Sequence, residues 1–558
     1  MRTPIVRNLL LALAGLVAGC GSNNSGPTRR VSASGTTCCI VTDEANGHVA
    51  YLLNAVTAVG GKGELHVASA DGKDVKVASG ISPGGFLVSP TGKALFYAEL
   101  LPSGSDASLS YLDLSTAGAQ PKILFASGWP TRPVTPGVAS SPQYATIEAN
   151  NFFSPSGRYF VLGILPPNVS GIPDLHVIDV ETGTDVFQRG NGAYAYLEAV
   201  LPDDTMVFQD AVGGNSGVNG PPGVQTLFWI ALPQAASMQP VVIDTFTGAL
   251  TFTSDNKTLV YQRTDRSLWS WDAVARPAKP TMLAANTVQY SVSDAGQGTV
   301  AYSGTDHSLH VAGTLDLAGA TAKVDTLSPI VLSADGADVY YFQNVETQNR
   351  RGTLMHAGTA AGATPTKIAD NASIYDVHPV PGALLYLQNV DAVGEFGDAV
   401  RAARDGSAAT PLGTHVPTTG IGLAKLMGTS WLAAHLTSAT LDKDKKLVDA
   451  APALVGALGL TTSAGGGDTT VDPATRQGQF AVSDDQKSLV YIGGVAFDAV
   501  IDNYVGALAR VAVSAPSMTL KEPLLTGATE IGPVVGTTLF CNAPKASTPG
   551  VYFVNFTP

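Results

Sequence analysis

The chain has 558 residues, a formal net charge of −13 and only 14% charged residues, against about 25% in ordinary soluble domains. An acidic chain of this kind is repelled by phosphate backbones, which argues against a nucleic-acid partner. Sixty glycines and 35 prolines suit many short strands joined by turns and argue against a helix-dominated architecture.

In residues 1–19, Arg2 and Arg7 precede an apolar run from Leu9 to Val17 that is too short for a stable membrane span. Val17-Ala18-Gly19-Cys20 follows. Small residues and then Cys at the end of a signal sequence resemble the bacterial lipobox. That resemblance implies cleavage before Cys20, acylation of Cys20 and lipid anchoring in the cell envelope. Several acyl chains together hold a protein stably where one would not. Gly21, where inner-membrane retention would favour Asp, implies the outer membrane by the same resemblance. Residues 20–37 are rich in Gly, Ser, Asn and Thr and read as a flexible tether.

The repeat region is expected over 38–558. A polar turn opening into an apolar strand recurs along it: VTDEANGHVAY from Val41, VSPTGKALFYA from Val88, FSPSGRYFV from Phe153, VLPDDTMVFQD from Val200 and FTSDNKTLVYQ from Phe252. VSDAGQGTVAY from Val292, LSADGADVYYF from Leu332, VHPVPGALLYL from Val377 and VSDDQKSLVYI from Val482 continue it. Most starts lie roughly 40–65 residues apart, which is blade size. Each copy is followed by a strand pair around a turn, such as DLHVIDVETGTDVFQ from Asp174, where Gly183 falls at the position most in need of positive φ. One such unit cannot bury both faces, so the units must form an array.

Val88-Ser89-Pro90-Thr91-Gly92-Lys93 and Phe153-Ser154-Pro155-Ser156-Gly157-Arg158 resemble the repeat of the TolB-like propellers, a WD-like group. That implies an all-β fold, a β-propeller of four-stranded repeat units. Nine copies are clear. A degenerate one is expected at 422–436 with Trp431 to Ala434 as its strand, and a terminal one at 533–556, giving about ten or eleven units. Two tandem rings, divided near 283–290, are the first arrangement to expect, since single rings usually hold four to eight blades. One large ring is the second. Interruptions are expected at 128–151 and 460–479, between units, and at 212–224, inside one. Helix is expected only in short connections such as 449–458, with Asp449 as cap and Pro452 early in the helix.

The tripeptide Leu-His-Val recurs around His66, His176 and His310, with His356 in a further unit. Repeated His invites a metal at the channel, but equivalent positions in successive blades are too far apart to share a ~2.1 Å shell. Phe228, Trp269 and Ser110 occupy the equivalent place elsewhere, as a packing position would allow. Asp442, Asp444 and Asp449 lack the Gly and closing Glu of a calcium loop, and lysines lie among them. No Gly-x-Ser-x-Gly elbow accompanies the repeats. Trp129, Tyr144 and Trp431 are candidate binding aromatics. No metal, cofactor or catalytic set is expected. The expected function is a lipid-anchored envelope propeller that binds or scaffolds a protein partner, and the alternative is a propeller-type lyase or lactonase acting on a carbohydrate or small ester. Cys38 and Cys39 enter the first unit and Cys541 the last. Ring closure would therefore bring one of the pair to Cys541 as a disulfide; a vicinal Cys38–Cys39 bond is the rival.

Overall fold

The computed structural model describes residues 28–31, 41–43, 47–54, 62–69, 72–101, 107–131, 152–165, 174–189, 194–211, 225–233, 239–246, 250–253, 256–276, 279–293, 299–312, 324–325, 328–360, 362–418, 424–427, 430–440, 454–463, 469–483, 485–501, 503–514, 522–532 and 538–556. They form antiparallel sheets, with a single 3-10 turn, Thr347–Asn349, as the helical element among them. Most sheets are four-stranded meanders. Two are larger because Asp74–Val88, Lys122–Thr131 and Thr469–Val482 each run on from one repeat unit into the next.

Within a unit the strands differ in character because they differ in surroundings. The second strand is covered on both faces by neighbouring sheets, so Ala94–Leu100 is buried at five consecutive positions. It therefore reads as a continuous apolar run rather than an alternation. The fourth strand lies at the rim, and half of Thr366–Ser373 is exposed.

The turn before the second strand has one geometry in several units. At Ser89, Ser154, Ser333 and Ser483 the hydroxyl accepts the amide five residues on, at 2.9–3.1 Å. The residue three on donates its own amide back to the first carbonyl. That third residue has positive φ, and at Gly157 (φ 71°) an added Cβ would lie 2.6 Å from Thr91 of the preceding unit. Asp204, Asn256 and Gln486 stand at the same position with φ of 56–60°. The turn survives there without its Gly, at a cost in backbone strain.

The carbonyls of Lys93, Arg158, Lys257 and Lys487, which close these turns, accept the amides of Leu114, Val180, Ala273 and Val513, which follow the third strands. First-to-second and third-to-fourth turns therefore share one face of the array. Second-to-third connections lie on the other, where Lys545 pairs with Asp498 of the preceding unit at 3.0 Å.

The core is a series of apolar clusters, each spanning the seam between consecutive repeat units. Phe96 and Phe160 meet across one seam with ring centroids 4.3 Å apart. Tyr340 and Leu384 lie together across another. The last sheet joins the first in the same way, through Val31, Val49, Tyr51, Ala68, Phe540 and Val551. Thr28–Arg30 is the outer strand of the terminal sheet, with Thr28 opposite Val554 and Arg30 opposite Tyr552. A strand from one terminus thus completes the other's unit, and part of the expected tether is structural.

Two expectations require correction. The stretch 455–458, expected as helix, belongs to the strand Val455–Thr462, with Leu458 opposite Leu436. Gly456 and Gly459 disfavour a helix there, and the residues between them pack against the neighbouring strands. The stretch 460–479 does not separate units, because Thr469–Val482 supplies the last strand of one and the first of the next. By contrast, 212–224 does lie within a unit, between Thr205–Ala211 and Gln225–Ala231, and Trp431 to Ala434 falls on the strand Ser430–Thr440.

Candidate functional site

The recurring histidines are held inside separate units. His66 Nδ1 lies 3.2 Å from Asp74, whose other oxygen accepts the Tyr51 hydroxyl at 2.7 Å. His176 Nδ1 lies 2.6 Å from Asp185, with the ring edge-on to Phe125. His310 stacks on Tyr302 at 5.1 Å. His356 Nε2 lies 2.8 Å from Asp338, and its ring packs beside Tyr340. At the equivalent position Trp269 packs under the Arg263 guanidinium at 3.6 Å, and Phe228 stacks on Phe208. The position is an aromatic slot whose polar edge is tied by a carboxylate at His66, His176 and His356. Among the described residues no group of three or more His, Cys, Asp or Glu is arranged to hold a metal ion.

Several charged side chains bridge the seams between units. Lys93 reaches Glu181 at 3.1 Å and Lys122 donates to the Gly183 carbonyl at 2.7 Å. Gly183 has φ 59°, and an added Cβ would meet the Tyr111 ring at 2.8 Å. Arg404 reaches back to Asp335 (2.7 Å) and Asp338 (3.1 Å), while its carbonyl accepts the Tyr340 hydroxyl. Arg351 donates to the Val390 carbonyl, Arg401 to that of Thr462, and Arg510 to that of Phe556. A cavity of about 240 Å³ lies over one such seam, lined by Lys93, Tyr111, Asp113, Ser115, Val180 and Glu181. Its polar groups are engaged with one another: Tyr111 donates to the Val180 carbonyl, and Asp113 accepts from Ser115 and Thr116.

Glu198 is the unusual acid, and sequence reasoning missed it. It lies on Tyr194–Val200, the first strand of its sheet. Leu197 pairs with Phe208 and Ala199 with Val207, so Glu198 is the extra residue of a β-bulge. Bulges re-aim side chains and often lie near functional sites. Burial pushes its carboxyl up to about 8, opposed by the Gln209 amide, which donates to it. Gln209 is itself buried, and its own Oε1 is a buried acceptor without a hydrogen-bond partner. The pair can hold or release one proton near neutral pH. The sequence signal, a lone acid in the run Tyr194 to Val200, does not announce a bulge.

Cys541 is fully buried in the terminal unit and is a free thiol in the structure; burial raises its pKa. Cys20, Cys38 and Cys39 lie outside the described residues, as do Tyr144, Asp442, Lys443, Asp444 and Asp449, and the side chains of Trp129 and Trp431. The backbone of Trp129 pairs with Leu165 and that of Trp431 with Leu426.

No family model and no curated protein sequence matches the chain. Solved structures do. A eukaryotic initiation factor is similar with a TM-score of 0.40 and 13% identity, covering 75% of this chain and 93% of its own. The β-propeller domain of the Trilobed protease from Pyrococcus furiosus has a TM-score of 0.29 and 10% identity, covering 70% and 98%. TolB from Acinetobacter baumannii has a TM-score of 0.22 and 16% identity, covering 57% and 63%. The structural neighbours are β-propellers, and a shared fold brings no activity with it.

Proposed function

We propose that the chain is a lipid-anchored cell-envelope β-propeller serving as a protein-binding or scaffold module. We read its sheets as eleven units in one closed ring rather than two. The observation that carries the reading is the continuity of the seams. Apolar clusters join each unit to the next, cation clasps reinforce several of these seams, the last unit packs on the first, and a terminal strand seals that junction. One cluster, containing Val260, Leu268, Ala284 and Val300, crosses the 283–290 stretch where two rings would divide. A frame whose charges are used to hold units together suits presentation of a surface better than turnover. Anchoring rests on the lipobox-like Val17 to Cys20, and an outer-membrane location on Gly21. The test is crosslinking and capture from intact envelope, with Cys20→Ala as control. The wild type is expected to be acylated, membrane-bound and crosslinked to one dominant envelope protein, and Cys20→Ala to be soluble and to lose that partner. A Cys20→Ala protein that stays acylated and sediments unchanged overturns the anchor. A membrane-bound wild type with no specific crosslinked partner overturns the scaffold.

A further inference from the structure

We infer that the ring is held with the face carrying its first-to-second turns toward the bilayer and its second-to-third hairpins turned away. This rests on the lipid-anchor reading above. Its independent support is where the anchored end of the chain enters the fold. Thr28 pairs with Val554, next to Asn555, the last residue of the strand Gly550–Asn555. The other end of that strand meets the 544–549 connection, since Ala543 pairs with Gly550. The chain therefore enters at the end of the terminal sheet where third-to-fourth turns lie in every other unit. Arg510 of the preceding unit fixes that end by donating to the Phe556 carbonyl at 2.6 Å. The opposite end is marked by Lys545, paired with Asp498. Between Cys20 and Thr28 lie only residues 21–27, so Thr28 can stand at most about 28 Å from the acylated residue even with the chain fully extended. That reach is comparable to the thickness of the ring at this point. The strand Gly550–Asn555 spans about 20 Å, but the adjacent 11-residue strand Ser488–Asp498 extends about 35 Å, beyond the tether's reach, so an anchor attached at one face does not bring the other face against the bilayer.

The adjacent unit supplies two probes on a single strand pair. Lys487 lies at the turn before the strand Ser488–Asp498, and Val500, 85% exposed, lies at the hairpin beyond it. An 11-residue strand separates them, about 35 Å. Lys487→Cys and Val500→Cys are made separately in full-length protein carrying Cys38→Ser and Cys39→Ser; Cys541 is buried and shielded from label. Each variant is labelled with a donor fluorophore and reconstituted, in acylated form, into phosphatidylethanolamine–phosphatidylglycerol vesicles containing acceptor-headgroup lipid. Energy transfer from position 487 is expected to exceed that from position 500 by about twofold or more, given the ~35 Å separation. Equal transfer means a ring standing on its rim, and greater transfer from 500 means an inverted one; either overturns the inference. Mass spectrometry of the N-terminal peptide separates these from failure of the anchor. A chain that never acquires acyl groups on Cys20 overturns the lipoprotein reading and this orientation with it.

Discussion

Glu198→Gln should convert a pH-dependent stability into a flat one. The native carboxyl titrates near 8, against an ordinary value of 4.5, because burial penalises its charged form. A folded-state pKa above the unfolded one means that the folded chain binds the extra proton between those two values. Stability is then complete below pH 4.5 and lost as pH rises through 8. At 1.36 kcal/mol per pH unit the full shift corresponds to roughly 5 kcal/mol. Glu198 is half-buried rather than sealed, so water near the bulge screens part of this and about 2–3 kcal/mol is the expected working size. Glutamine keeps the shape and still accepts the Gln209 amide, but cannot ionise. Urea unfolding at pH 5, 6.5 and 8 should therefore show the variant within about 1 kcal/mol of wild type at pH 5, and more stable by the stated amount at pH 8. A difference between the two proteins that stays constant across this range would refute the reasoning.

Val31 is 3% exposed in the cluster joining first and last sheets, so Val31→Ala should cost about 2 kcal/mol by urea unfolding; a cost under about 0.5 kcal/mol would mean that the seam does not bear on stability. Arg404→Ala removes two carboxylate contacts across a seam and should cost about 1–2 kcal/mol. A double-mutant cycle with Asp335→Ala should recover a coupling that weakens in high salt. Gln486 holds φ 56°, so Gln486→Gly should raise stability by about 0.5–1 kcal/mol, read as an increase in melting temperature.

How much of this was legible depended on where each residue's constraint comes from. Ser89 to Lys93 and Ser154 to Arg158 specify their turns locally, so the repeat and its all-β character could be read directly. Asp204, Asn256 and Gln486 hold the same turn through backbone bonds that letters do not display, which blurred those copies. The strand Val455–Thr462 resembled a helix because an acid and a proline precede an apolar run, yet pairing with Ser430–Thr440 decides its conformation. Thr28–Arg30 carries little apolar signal of its own and becomes a strand because Gly550–Asn555 leaves an edge for it. Glu198 acquires its character from a register shift set by the facing strand, information absent from any single segment. The histidines were legible as packing residues because aromatics replace them at the same place.

The seat of Thr28–Arg30 against Gly550–Asn555 also sets an order of events during synthesis. Its two strands are separated by roughly 520 residues, and closing a loop of that length costs about 5–6 kcal/mol in chain entropy beyond a constant. Such a contact is made last, after neighbouring units have already stacked. Until the C-terminal strand is available, the N-terminal segment has no edge to join and Val49, Tyr51 and Phe540 face water. A truncated or stalled chain would therefore present an open, sticky array for a protease to recognise, and the joining of last sheet to first would be the point at which the molecule stops being a substrate for quality control.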